Sequence, residues 1–172
     1  MVARKKWLAV FVFVALAALL LSQLSSYLVT RNLVAQETRV VNSFLHLTFV
    51  QNNGGVFGAF QGFGWIAGVL SALVLTAVTA FLLFGKGRSG HEYVLLGLVV
   101  GGGFSNVLDR SLRGFVVDFV DLQQIPYWNF VFNTADVFIH VGLWSLFFIA
   151  LFATPQASAS VRSEESLESR PL

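Results

Sequence analysis

From Trp7 to Thr30 the chain runs without a charged residue. A helix rising about 1.5 Å per residue needs ~20 apolar residues to cross the hydrocarbon core, and this run is long enough. Three further apolar stretches follow, at about 62–84, 92–110 and 133–154. Of 172 residues 56% are hydrophobic and 12% charged. A soluble chain carries about 25% charged residues, so the apolar surface here is expected to face lipid. These runs predict an all-α membrane protein of four transmembrane helices, with spans at about 7–29, 62–84, 92–110 and 133–154. One integral-membrane domain over 1–154 precedes a polar, aperiodic stretch, 155–172, read as a disordered cytoplasmic tail.

Basic residues orient such a bundle. Arg4, Lys5, Lys6, Lys86, Arg88, Arg162 and Arg170 fall on one side of a four-span arrangement, and Arg31, Arg39, Arg110 and Arg113 on the other. The bias places both termini in the cytoplasm. The basic start resembles a signal peptide, but the apolar run is too long for one, and a retained anchor is expected. A formal charge of +2 gives no argument for nucleic acid. The chain has no cysteine, which excludes disulfides, thiolate nucleophiles and cysteine metal sites. Residues 40–52, VVNSFLHLTFVQN, are rich in β-branched and aromatic side chains and end in Asn52-Asn53-Gly54-Gly55. They predict one or two strands on the outer surface.

All four aspartates, Asp109, Asp118, Asp121 and Asp136, lie within 109–136. Carboxylates are costly near lipid, so an acidic cluster at a membrane face is a functional site by default. Asn106, Asp109 and Arg110 have spacings that put them on one helical face. Val116, Val117 and Phe119 collar Asp118 with apolar groups, which disfavours its charged form. Asn133-Thr134-Ala135-Asp136 opens the last apolar run and also reads as an N-cap with an acid in the first turn. Two carboxylates brought together can share one proton, giving an acid and a base at once. Asp118 (protonated) and Asp136 (ionised) are the expected pair.

Plainer readings stand beside these. Arg110 can snorkel to headgroups. Asp121 reads as a solvated loop residue, Asp109 as a member of a structural polar network, and His140 as a packed or hydrogen-bonded histidine. Gly97-x-x-x-Gly101 with Gly102 and Gly103 marks close helix packing. Two rival functions also fit a membrane acid cluster: a small proton-coupled transporter and a non-catalytic scaffold.

Taken together, Asn106-Val107-Leu108-Asp109-Arg110, Val116-Val117-Asp118-Phe119 and Phe132-Asn133-Thr134-Ala135-Asp136 resemble the signature blocks of lipoprotein signal peptidase (signal peptidase II). Asn52-Asn53-Gly54-Gly55-Val56-Phe57 is similar to the family's Asn-x-Gly-Ala-Ala-Phe block, and the likeness covers residues 1–154. The resemblance implies an aspartyl endopeptidase of the bacterial inner membrane, which cuts prolipoproteins just before their diacylglyceryl-modified cysteine. Its fold would be four helices with a small extracytoplasmic β-cradle, and its active site would lie near the extracytoplasmic face. Asp118 and Asp136 would be the catalytic pair. Asn52, Gly54, Asn106, Arg110 and Asn133 would support them or position substrate, with Asp109 in the supporting network. Lipidated prolipoprotein and membrane lipid are the expected partners of a monomer, with no nucleic acid, metal or cofactor. The chain departs from the pattern at Ser22 and Ser26, which stand where the family carries Asp and Lys in an Asp-Gln-x-x-Lys stretch. Gly55 and Val56 replace two alanines.

Overall fold

The computed structural model describes residues 2–55, 61–85 and 89–152. The readings made on Val56, Phe57, Lys86, Arg88, positions 153–154 and the tail 155–172 lie outside them. The first apolar run, free of glycine and proline, forms a single helix, α1 (Val2–Asn32), that extends beyond the expected span at both ends. The second and fourth runs form α2 (Gly64–Phe84) and α4 (Thr134–Phe152). These three helices, α1 counted from Arg4, are long and apolar enough to cross a membrane. In the most apolar stretch of each, no more than 17% of residues are buried inside the protein. Apolar surface on that scale is stable only against lipid or a partner.

The third run forms α3 (Gly90–Arg113), which is not among those three. It carries Glu92, Asp109, Arg110 and Arg113, and it packs against α1, α2 and α4 together. Its glycines allow this central position. A Cβ on Gly101 would collide with the Ala15 backbone of α1. One on Gly102 would lie 2.5 Å from the Ala135 carbonyl of α4, and one on Gly103 2.7 Å from Leu75 of α2. Gly97 likewise abuts Val14, so the expected close packing holds. Because neighbouring helices cover it, α3 can carry polar groups that would be costly against lipid. Phe11, Leu75, Leu82, Tyr93 and Val100 fill the core between α1, α2 and α3. Gly114, in the left-handed conformation at φ 83°, donates its N–H to the Arg110 carbonyl and turns the chain out of α3.

The strand-rich segment forms β1 (Thr38–Val40) and β2 (Leu45–Asn52). A third strand, β3 (Val116–Leu122), completes an antiparallel sheet in the order β1-β2-β3. Residues 116–122, read from the sequence as part of a connecting loop, are therefore strand. Phe49, Val117 and Phe119 pack on Val29 and Leu33, which docks the sheet on the C-terminal end of α1.

Candidate active site

A register shift in the sheet builds one half of the site. Leu47 pairs with Val120, but Val50 pairs with Asp118, so β2 holds one extra residue between these pairs. Directly opposed residues share a face, and alternate residues return to it. Were the ladder to run on without a bulge from Leu47, Gln51 would reach the face of Asp118; with the bulge, Asn52 does. The Asn52 amide donates to Asp118 Oδ2 at 2.9 Å and to the Gly55 carbonyl at 3.2 Å. Asn52 Oδ1 accepts the Gly54 N–H at 3.0 Å, which ties the following turn to the same point. Asn133 Nδ2 donates to the other oxygen of Asp118 at 2.7 Å. Asp118 and Asn133 are only 4% and 3% exposed. Burial, and then the charge of Asp136, push the Asp118 carboxyl up to about 7. The amides of Asn52 and Asn133 and the charge of Arg110 oppose that rise without cancelling it.

The start of α4 builds the other half. The Asn133 N–H donates to Asp136 Oδ2 at 3.1 Å, and the Asp136 N–H donates to Asn133 Oδ1 at 3.1 Å. This reciprocal pair is a capping box, so the N-cap reading of Asn133 holds. The bonds that begin the helix also fix the carboxylate. From α3, Asn106 Nδ2 donates to Asp136 Oδ1 at 2.8 Å, and Asn106 Oδ1 accepts from Asn133 Nδ2 at 3.2 Å. Asn133 thus touches both acids, Asp118 through its side chain and Asp136 through its backbone. Arg110 Nη2 donates to the Gly54 carbonyl at 2.9 Å, and Nη1 to the Asn106 carbonyl at 3.3 Å. Its Nε–H is buried with no acceptor among the described residues.

Asp109 does not join this group. Asn106 and Arg110 turn towards the acids, while Asp109 turns towards α1, so the single helical face read from the spacing is divided. Gln23 Nε2 donates to Asp109 Oδ1 at 2.7 Å, Arg113 forms an ion pair with the same oxygen, and the Val117 N–H donates to Oδ2 at 3.2 Å. The structural-network reading of Asp109 is the one these bonds describe. Asp121 is not a solvated loop residue. It lies in β3, half-buried, and accepts from Thr48 and Gln123, both at 2.7 Å. His140 is exposed, with Nδ1 2.7 Å from the Asp136 carbonyl oxygen.

The sequence reading did not assign Gln23, Ser105 or Arg113. One signal was present for Gln23: a long amide inside a charge-free apolar run must find a partner. It donates to the Ser105 carbonyl and Oγ as well as to Asp109. Ser22 and Ser26 are buried beside it, and Ser22 Oγ is spent on the Ala18 carbonyl at 2.7 Å.

Fold and site together are those of a helical membrane protein with an amide-bound acid pair at one end of its bundle. A family model described as Signal peptidase (SPase) II matches residues 14–152. The lipoprotein signal peptidase of Microcystis aeruginosa is 37% identical over 144 residues, 81% of this chain and 88% of that protein. That of Clostridioides difficile is 37% identical over 145 residues, covering 83% and 95%. A bacterial membrane enzyme solved by the in meso method at 2.3 Å superposes with a TM-score of 0.78 at 24% identity, over 87% of this chain and 92% of its own. The chain belongs to the signal peptidase II family.

Proposed function

We propose that the chain removes signal peptides from diacylglyceryl-modified prolipoproteins, cutting before the lipidated cysteine, with Asp118 and Asp136 as its catalytic residues. The observation that carries this reading is Asn133, which holds the buried Asp118 carboxylate and the half-buried Asp136 carboxylate at once. Peptide hydrolysis needs a base for water and an acid for the leaving amine. A carboxyl pushed up to about 7 is substantially protonated at neutral pH and suits the acid. Asp136, held at a helix N-terminus and accepting from Asn133 and Asn106, suits the ionised base. Asp136 takes the proton of the attacking water while Asp118 polarises the scissile carbonyl and then supplies the nitrogen's proton. Asn52, Asn106 and Asn133 hold the geometry. The Nε–H of Arg110, without an acceptor among the described residues, is the donor we assign to a substrate carbonyl, and Gly54 steadies that guanidinium.

In this reading α3 crosses the membrane as a fourth, protein-covered span within a domain over 1–154, followed by a cytoplasmic tail at 155–172. Both termini face the cytoplasm, and the sheet and acid pair lie near the outer face of the bacterial inner membrane. The enzyme acts as a monomer. Substrate acyl chains lie against the exposed apolar faces of the helices, where each buried methylene contributes about 0.8 kcal/mol. Lipid then dominates recognition and the peptide sequence can vary. The transporter reading has less support, because Asp109, Asp118 and Asp136 gather at one end of the bundle. A gel-shift assay on a lipidated prolipoprotein tests the proposal. Wild type should shift the substrate and Asp118→Asn should not; equal shifts would overturn the aspartyl reading.

A further inference from the structure

Asp118 lies between two peptide N–H groups that are pinned from outside the β2–β3 ladder. The Phe119 N–H donates to the Phe132 carbonyl at 2.9 Å, a backbone contact that any residues could make. The Val117 N–H donates instead to a side chain, Asp109 Oδ2, at 3.2 Å. That carboxylate is 1% exposed. A carboxylate so buried is costly unless a cation and hydrogen-bond donors surround it. Arg113 supplies the cation, one turn further along α3, and Gln23 of α1 supplies a second donor at 2.7 Å. Arg113 Nη1 also reaches Gln23 Oε1 at 3.3 Å, so the three side chains close a triangle. No atom of Arg113 bonds to either acid of the pair among the described residues.

We propose that Arg113 is a positioning residue for hydrolysis. By fixing the Asp109 side chain between them, Arg113 and Gln23 clamp the Val117 peptide and set where the Asp118 carboxylate stands. The inference rests on Asp118 being catalytic, but the clamp itself has a readout that does not need turnover.

The first measurement is amide hydrogen exchange on the full-length protein in detergent. In Arg113→Gln, exchange in the peptide containing Val117 should accelerate about tenfold, with α2 and α4 unchanged. The second is cleavage of a lipidated prolipoprotein, where Arg113→Gln should lower kcat about tenfold and leave KM within twofold. Arg113→Lys, whose ammonium can still donate to Asp109 and Gln23, should restore most of both. Unchanged exchange at Val117 in Arg113→Gln would overturn the clamp. Exchange accelerated uniformly across the chain, without rescue by lysine, would also overturn it, since Arg113 would then only support the fold. A wild type that fails to cleave, with the Val117 effect still seen in Arg113→Gln, would refute the functional reading and leave the clamp standing.

Discussion

Asp109 and the Asp118–Asp136 pair lie at the same end of the molecule, yet different chemistry surrounds them. Asp109 has a guanidinium in ion-pair contact, an amide and a backbone N–H. The pair has only amide donors, from Asn52, Asn106 and Asn133 and the Asn133 backbone, and no ion pair among the described residues. Both arrangements satisfy hydrogen bonding. Only the first neutralises the charge. A neutralised carboxylate is a strut, whereas an amide-bound pair retains its proton for exchange with a substrate. The difference separates a structural acid from a working one although Asp109 and Asp118 are nine residues apart.

Asparagine substitution is the strongest way to break this comparison. Asp118→Asn or Asp136→Asn should reduce cleavage by roughly a thousandfold or more, because paired groups act as a unit. The protein should stay folded in the membrane. Asp109→Asn should do the reverse in emphasis. It leaves Arg113 without its partner, and breaking a buried pair costs about 3–5 kcal/mol, so loss of folded protein should lead. If Asp109→Asn were stable and inert, with Asp118→Asn active, the two roles would have to be exchanged.

The extra residue of β2 offers a second test. Inserting one alanine between Val50 and Gln51 should keep Val50 opposite Asp118 and put Gln51 in the register position from which Asn52 now reaches Asp118. Cleavage should fall by about one to two orders of magnitude, the range of a lost positioning contact. Asn52→Ala should give a similar loss with the sheet intact. An insertion variant with normal turnover would show that Asn52 is dispensable.

Acidity sharpens the contrast more gently. The Asp118 carboxyl moves from 3.8 to about 7 on folding, a difference equivalent to roughly 4 kcal/mol. Below about pH 4 both states are protonated and folding incurs no cost from this group. As pH rises towards 7 the unfolded state ionises alone, so stability falls, and the loss is complete above 7. The melting temperature in detergent should therefore decline between about pH 4 and 7, and decline less in Asp118→Asn. Single-turnover cleavage should also fall as pH rises through about 7, where the acid loses its proton. A flat melting profile in wild type would contradict the environment assigned to Asp118.

How much of this was legible depended on the range of the interactions. Three helices followed from uninterrupted apolar runs, because lipid reads each helix independently. Strand β3 did not, because its ladder partner lies 66 residues away where Asn52 meets Asp118. A buried acid also breaks the alternation by which half-buried strands are recognised. The capping box was readable, being local to Asn133 and Asp136. The division of Asn106 and Arg110 from Asp109 was not. Helical spacing says which residues are neighbours, whereas packing between α1 and α4 decides which way each one turns. Resemblance placed Asn52 in the site, but the bulge that delivers it has no local signature in Leu47–Val50.

The smallest effect is expected at the two serines that replace the family's Asp and Lys. Ser22 and Ser26 are 2% and 4% exposed. Ser22 Oγ closes onto its own helix at Ala18, and the cross-helix contact to α3 is made by Gln23 instead. Neither serine bonds to Asp118 or Asp136, so the chemical step does not depend on them. Introducing Ser22→Asp with Ser26→Lys puts larger groups into a packed interface, which costs about 1–3 kcal/mol. An i, i+4 ion pair returns only ~0.5 kcal/mol of that on a helix surface. The double variant should therefore melt a few degrees lower or bind substrate with altered affinity, while single-turnover cleavage stays within a few-fold of wild type. The opposite pattern, an inert wild type switched on by the double change, would mean that the serines disable the site. The chain would then be a degenerate member of its family, and the amide-bound pair a site that had lost its supporting shell.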